Sequence, residues 1–140
     1  MFVFGGAAMV LGFDARPATR DVDAVWEPHG AVLEEAWAVA AELELPRSWL
    51  NDQASAYLPS GVRSTDAIAF HGAALRVTLA SPELLLGMKV RAARRGDLAD
   101  IQLLASRLRL TTAASVIALA ESVFGEPVPD RQRMAVEDLF

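Results

Sequence analysis

The chain contains no cysteine, two histidines (His29 and His71) and a single lysine, Lys89. Without thiols there can be no disulfide, thiolate metal site or cysteine nucleophile. Two histidines are also too few for a histidine-rich zinc centre within one chain. Long hydrophobic runs are lacking too: stretches such as 113–120 fall far short of the roughly 20 residues a membrane-spanning helix needs, so no membrane partner is expected. At the N-terminus an apolar run precedes the first cation, Arg16, which is the reverse of the charge order of a secretory signal. Together with the absence of cysteine, this order points to the cytoplasm. Carboxylates and arginines are left to carry any chemistry.

The 140 residues are 53% hydrophobic and 22% charged, which suits one buried core and excludes general disorder. No repeat or linker divides them, so one domain over 1–140 is expected, with a sheet-containing part at 1–80 and a helical part at 81–140. The net charge of -5 argues against indiscriminate binding of polyanions. Its distribution is uneven, because Lys89, Arg91, Arg94, Arg95, Arg107 and Arg109 face only Glu83, Asp97 and Asp100 in the same segment. That locally basic stretch could receive phosphates.

Residues 2–4 form a short apolar strand candidate, Gly5-Gly6 a turn, and 7–12 one or two helical turns. Residues 21–26, Asp-Val-Asp-Ala-Val-Trp, alternate with a period of two, so a strand would place Asp21 and Asp23 on one face. Val32, Leu33, Ala36, Trp37, Ala40 and Leu43 recur at helical spacing over 31–43. Segments 65–70 and 74–79 flank His71-Gly72-Ala73 as a hairpin. Ser81-Pro82 opens a helix containing Lys89, with Ser81 as N-cap and Pro82 at the first position. Gly96 should end that helix and Asp97 should cap the next. Helices are expected over 97–108 and 112–124, with a short one after Pro129. The sum is an α+β fold, a few strands followed by a helical C-terminal half.

Chemistry concentrates where a strand, a double glycine, a helix and an acidic strand follow one another. Glycines at a strand-to-helix turn let backbone approach a phosphate, whose charge a helix N-terminus favours. Two carboxylates on one strand face can hold a divalent cation that bridges to nucleotide phosphates. Together these describe metal-dependent phosphoryl or nucleotidyl transfer.

The arrangement resembles the nucleotidyltransferase superfamily, whose signature is an apolar residue, Gly, then Gly or Ser, then an Asp-x-Asp strand. More narrowly, Arg16-Pro17-Ala18-Thr19-Arg20-Asp21-Val22-Asp23 is similar to the Arg-x-x-Thr-x-Asp-x-Asp of AbiEii-like small nucleotidyltransferases, often associated with toxin–antitoxin systems. The run from Ser81 through Lys89, followed by Arg94, Asp97 and Asp100, resembles their second block, and Trp49-Leu50-Asn51 a short pattern of the group. The resemblance implies a small mixed sheet of the nucleotidyltransferase type. It implies that Gly5 and Gly6 cradle the triphosphate of an NTP substrate with Arg16 and Thr19 nearby, and that Asp21 and Asp23 ligate magnesium. Lys89 would contact phosphates or the transferred group, and Asp97, joined by Asp100, would complete the catalytic set close to Asp21 and Asp23. RNA, including a tRNA end, is the acceptor it favours, with a protein acceptor left open. An antitoxin partner is implied as well. Self-association is expected because that family usually carries a helix before the glycine strand, where this sequence has almost no residues.

Each element also has a plainer reading. A double glycine can be a turn, an Asp-x-Asp pair a solvated strand face, Asp97 a helix cap, and Lys89 a solvated helix residue. The three tryptophans suit core or interface positions. The alternative function is a catalytically silent nucleotide-binding or protein-interaction module with the same fold.

Overall fold

The computed structural model describes residues 1–14, 18–60, 62 and 68–140. The chain divides into two compact units, Met1–Tyr57 with Arg63–Ala80, and Leu58–Val62 with Ser81–Phe140.

The first unit is built on a five-stranded mixed sheet. Strand β1 (Phe2–Phe4) leads directly into helix α1 (Gly5–Phe13), and β2 (Val22–Val25) precedes α2 (His29–Glu42). Strands β3 (Leu50–Asn51), β4 (Ile68–His71) and β5 (Arg76–Leu79) complete it in the order β3-β2-β1-β5-β4. β1 runs antiparallel to β2 and parallel to β5, β2 parallel to β3, and β4 antiparallel to β5. The α+β expectation holds, and the expected hairpin is the β4–β5 pair; residues 65–67 of its first arm lie outside the described residues.

All three residues of β1 are buried, as the middle strand of a sheet requires of a short unbroken apolar run. β2 is half-buried except for Ala24, which is fully buried, so its alternation sorts Asp23 away from the apolar side. In α2 only part of the expected stripe is covered. Ala36 and Ala40 are buried, whereas Trp37 is 38% and Leu43 60% exposed. The Trp37 ring is covered instead by a cation, the Arg47 guanidinium carbon lying 4.9 Å from its centroid.

The second unit consists of α3 (Pro82–Ala92), α4 (Leu98–Arg107), α5 (Ala113–Phe124) and α6 (Asp130–Glu137). Ser81 Oγ accepts the Leu84 N–H at 3.2 Å and Pro82 takes the first position of α3, as expected. α3 packs against the other three helices, and Leu85, Val90, Ile101, Leu104, Val116 and Val136 are fully buried. Each such side chain contributes about 1.5–3 kcal/mol by leaving water. Gly87 allows α3 and α5 to meet: a Cβ there would lie 3.0 Å from Phe124 Cε2 and 3.3 Å from Val123 Cγ1. Gly87→Ala is therefore expected to lower stability by about 1 kcal/mol, overpacking outweighing the helix propensity alanine adds, as a urea-denaturation midpoint would show.

The end of α3 departs from the sequence expectation. Ala93, not Gly96, takes the left-handed cap (φ 39°), its N–H bonding to the Lys89 carbonyl. A tight turn over Arg95–Asp97 then leads into α4. The Asp97 side chain does not cap α4; it folds back to accept the Arg94 N–H at 3.2 Å. Its carboxylate is held there by Lys89, which decides the local geometry against the ordinary cap.

Candidate functional site

The site in the first unit is assembled by strand pairing. In the β1–β2 register Phe4 lies opposite Asp23, so the residue after Phe4 meets the Asp23 side chain. That residue, Gly5, opens α1 with φ +64°, the left-handed region that glycine adopts without strain. A Cβ on Gly5 would fall 2.5 Å from Asp23 Oδ2, inside contact distance. Glycine is thus required twice over, by backbone and by neighbour. Gly6 follows in the first turn of α1, which has no side-chain cap, so its N–H groups suit an anion. Gly5→Ala is expected to destabilise by about 1–3 kcal/mol and to displace Asp23, measurable as a lowered Tm and weaker magnesium–nucleotide binding.

Asp21 sits immediately before β2 and is exposed; Asp23 lies within the strand and is half-buried. Their spacing of two sets them on one side of the extended segment. Thr19 Oγ1 donates to the Asp21 carbonyl at 3.1 Å, which ties down the approach to β2. Arg16 lies outside the described residues.

On the other flank of β2 the parallel β3 places Asn51 opposite Asp23 and Leu50 opposite Val22. Here a cleft of about 270 Å³ opens, with Arg20 and Asp21 on one side, Pro46, Ser48 and Trp49 on another, and Asn51 and Gln53 completing the wall. Its wall is braced. Trp49 Nε1 donates to the Ala36 carbonyl at 2.9 Å, Asn51 Nδ2 to the Ser48 carbonyl at 3.4 Å, and Asn51 Oδ1 accepts the Gln53 N–H at 3.1 Å. The cleft residues Arg20, Ser48 and Gln53 were not singled out by sequence reasoning, and Asn51 only as part of a short pattern. No local periodicity signals them, because a two-residue parallel strand is defined by its partner.

The second unit gathers the other candidates. Lys89 Nζ lies 2.6 Å from Asp97 Oδ1 and 3.0 Å from Asp100 Oδ2. The side chains are 13%, 12% and 6% exposed, in that order, so Lys89 and the two carboxylates it meets are all buried. The picture of Lys89 as a solvated helix residue is excluded by these distances.

Comparison with protein-family models, with curated proteins and with solved structures returned no match. The site's chemistry therefore rests on its own geometry. Among the described residues no group of three or more His, Asp or Glu side chains is placed to hold a metal ion, and no helix is long and apolar enough to cross a membrane. Asp21 and Asp23 are two carboxylates that their spacing sets on one side of the segment. A pair still suits magnesium, which keeps several waters and is commonly bound through one or two carboxylates plus substrate phosphates.

Proposed function

We propose that this chain is a magnesium-dependent nucleotidyltransferase that moves a nucleotidyl group from an NTP to an acceptor. The observation that carries the reading is the juxtaposition of Gly5, at the left-handed opening of α1, with the Asp23 carboxylate, because it sets phosphate-seeking N–H groups beside a cation-seeking oxygen. Asp21 and Asp23 would hold magnesium, which when bound neutralises phosphate charge. The first turn of α1 binds and orients phosphate oxygens, and Gly5 permits their close approach. Positioning and charge neutralisation are most of what phosphoryl transfer asks of a protein. The sheet with its small α1 would then be of the nucleotidyltransferase type. An RNA acceptor, including a tRNA end, suits the exposed Arg94, Arg95 and Arg109 of the helical unit, and a cytoplasmic toxin–antitoxin component is the setting we favour.

The test incubates the protein with each labelled NTP, magnesium and total cellular RNA, then with protein extract. Magnesium-dependent covalent label on RNA is expected; failure to bind any NTP with magnesium overturns the reading. A second reading is favoured by one observation. Lys89, assigned to phosphates by the family resemblance, is engaged by two carboxylates, which fits a module that binds nucleotide without transferring it. Magnesium-dependent NTP binding with no label on either acceptor class would select it.

A further inference from the structure

We infer that the cleft bordered by Arg20, Asp21 and Trp49 is a binding site for a free α-amino acid, its carboxylate taken by Arg20 and its ammonium by Asp21. Occupancy of the cleft does not depend on the transferase reading. Two of the polar groups on its wall are already engaged by the fold, the Asn51 amide with Ser48 and Gln53 and the Trp49 indole N–H with Ala36. Others are open. Arg20, Asp21, Ser48 and Gln53 border the same cleft and are exposed, and their guanidinium, carboxylate, hydroxyl and side-chain amide have no hydrogen-bond or ion-pair partner among the described residues.

The charges select the class of ligand. Arg20 and Asp21 are neighbours in sequence and border one cleft, yet no ion pair joins them. A lone cation would take any anion and a lone carboxylate any cation, whereas the two together match a molecule that carries both charges a few bonds apart. An α-amino acid carries its ammonium and carboxylate on one carbon. A neutral sugar matches neither charge, and a nucleotide phosphate meets the Asp21 carboxylate. Hydrogen bonds to charged groups are about twice as strong as neutral ones, so these two contacts dominate recognition. Ser48 Oγ and the Gln53 amide add donors for the ligand carboxylate, and Pro46 and Trp49 give its side chain an apolar wall. The volume, about 270 Å³, is below the roughly 300–1,000 Å³ of sites that enclose a drug-sized ligand, and suits one amino acid rather than a peptide. The bonds that fix Asn51 and Trp49 shape the wall before a ligand arrives. Because Asp21 is also the proposed magnesium ligand, the ammonium and the ion compete for one carboxylate, and each weakens the other's binding by the same factor. A free amino acid would then oppose metal loading of the transferase.

The experiment follows the indole N–H resonance of Trp49, identified by its loss in Trp49→Phe, while L-leucine is titrated to about 10 mM, a range in which millimolar dissociation constants are read. Two blocked forms are titrated beside it. Leucinamide keeps the ammonium alone and stands in for the first residue of a peptide; N-acetyl-leucine keeps the carboxylate alone and stands in for the last. Leucine is expected to move the Trp49 signal, and both blocked forms to bind about tenfold more weakly or not at all. Arg20→Gln and Asp21→Asn should each weaken leucine about tenfold, with the amide spectrum otherwise that of the folded parent. Magnesium should weaken leucine, and leucine should weaken magnesium–ATP measured by calorimetry, to the same extent. No shift from leucine, equal affinity for leucine and a blocked form, or parent-like binding by either variant would overturn the amino-acid site. Leucine binding that ignores magnesium while magnesium–ATP binds would leave the site standing and remove Asp21 from the metal set. Failure of magnesium–ATP to bind, with leucine still bound, would overturn the transferase reading alone.

Discussion

Replacing Lys89 with methionine is expected to destabilise the protein by about 3–5 kcal/mol, the range for removing one partner from a buried ion pair. Methionine preserves most of the side-chain volume, so the loss is electrostatic rather than a cavity effect. Lys89 Nζ is 2.6 Å from Asp97 Oδ1 and 3.0 Å from Asp100 Oδ2, and all three side chains are largely withdrawn from water. Without the ammonium, both carboxylates lose the cation they share. The turn is affected as well, because Asp97 also accepts the Arg94 N–H through its second oxygen. Adding Asp100→Asn to Lys89→Met should recover part of the loss by removing one of the repelling charges, a coupling that a double-mutant cycle in chemical denaturation would measure. A loss below about 1 kcal/mol for Lys89→Met would mean that the group is solvated and the energetic argument fails.

Asp23→Asn is expected to reduce magnesium-dependent transfer by at least on the order of a hundredfold with the fold retained. The substitution keeps the shape, removes the charge and turns one acceptor oxygen into an amide donor. Because the Asp23 carboxylate lies against Gly5, the lost charge is at the junction between the phosphate-binding turn and the strand pair. Asp21→Asn should lower transfer as well, with less effect on stability still, since Asp21 is exposed and outside the strand. Labelling assays on the two variants, with denaturation curves as controls, check both statements. Transfer by Asp23→Asn at the parent rate would remove Asp23 from the metal-binding role.

Much of the local architecture was legible because local chemistry governs it. The apolar Phe2–Phe4 run, the Ser81-Pro82 helix opening and the alternation around Asp23 are set by residues a few positions apart, and burial follows their pattern. The stripe of α2 was only partly informative. A period of 3.6 says which residues share a face, not how much of that face the fold covers, and Arg47 rather than the core shields Trp37.

By itself the sequence determined the chemical inventory, with no thiols, one lysine and paired acids, and the order of the helices and of the strands other than β3, since both depend on residue identity and short-range spacing. Tertiary structure alone decided which of those residues meet. Gly5 touches Asp23 because β1 pairs with β2; Asn51 comes opposite Asp23 because a two-residue strand finds a parallel partner; and Lys89 turns to Asp97 and Asp100 because the chain doubles back after Ala93. These are long-range pairings or backbone turns, selected by the burial and hydrogen bonding of the whole unit, and no window of sequence contains the energy that selects them.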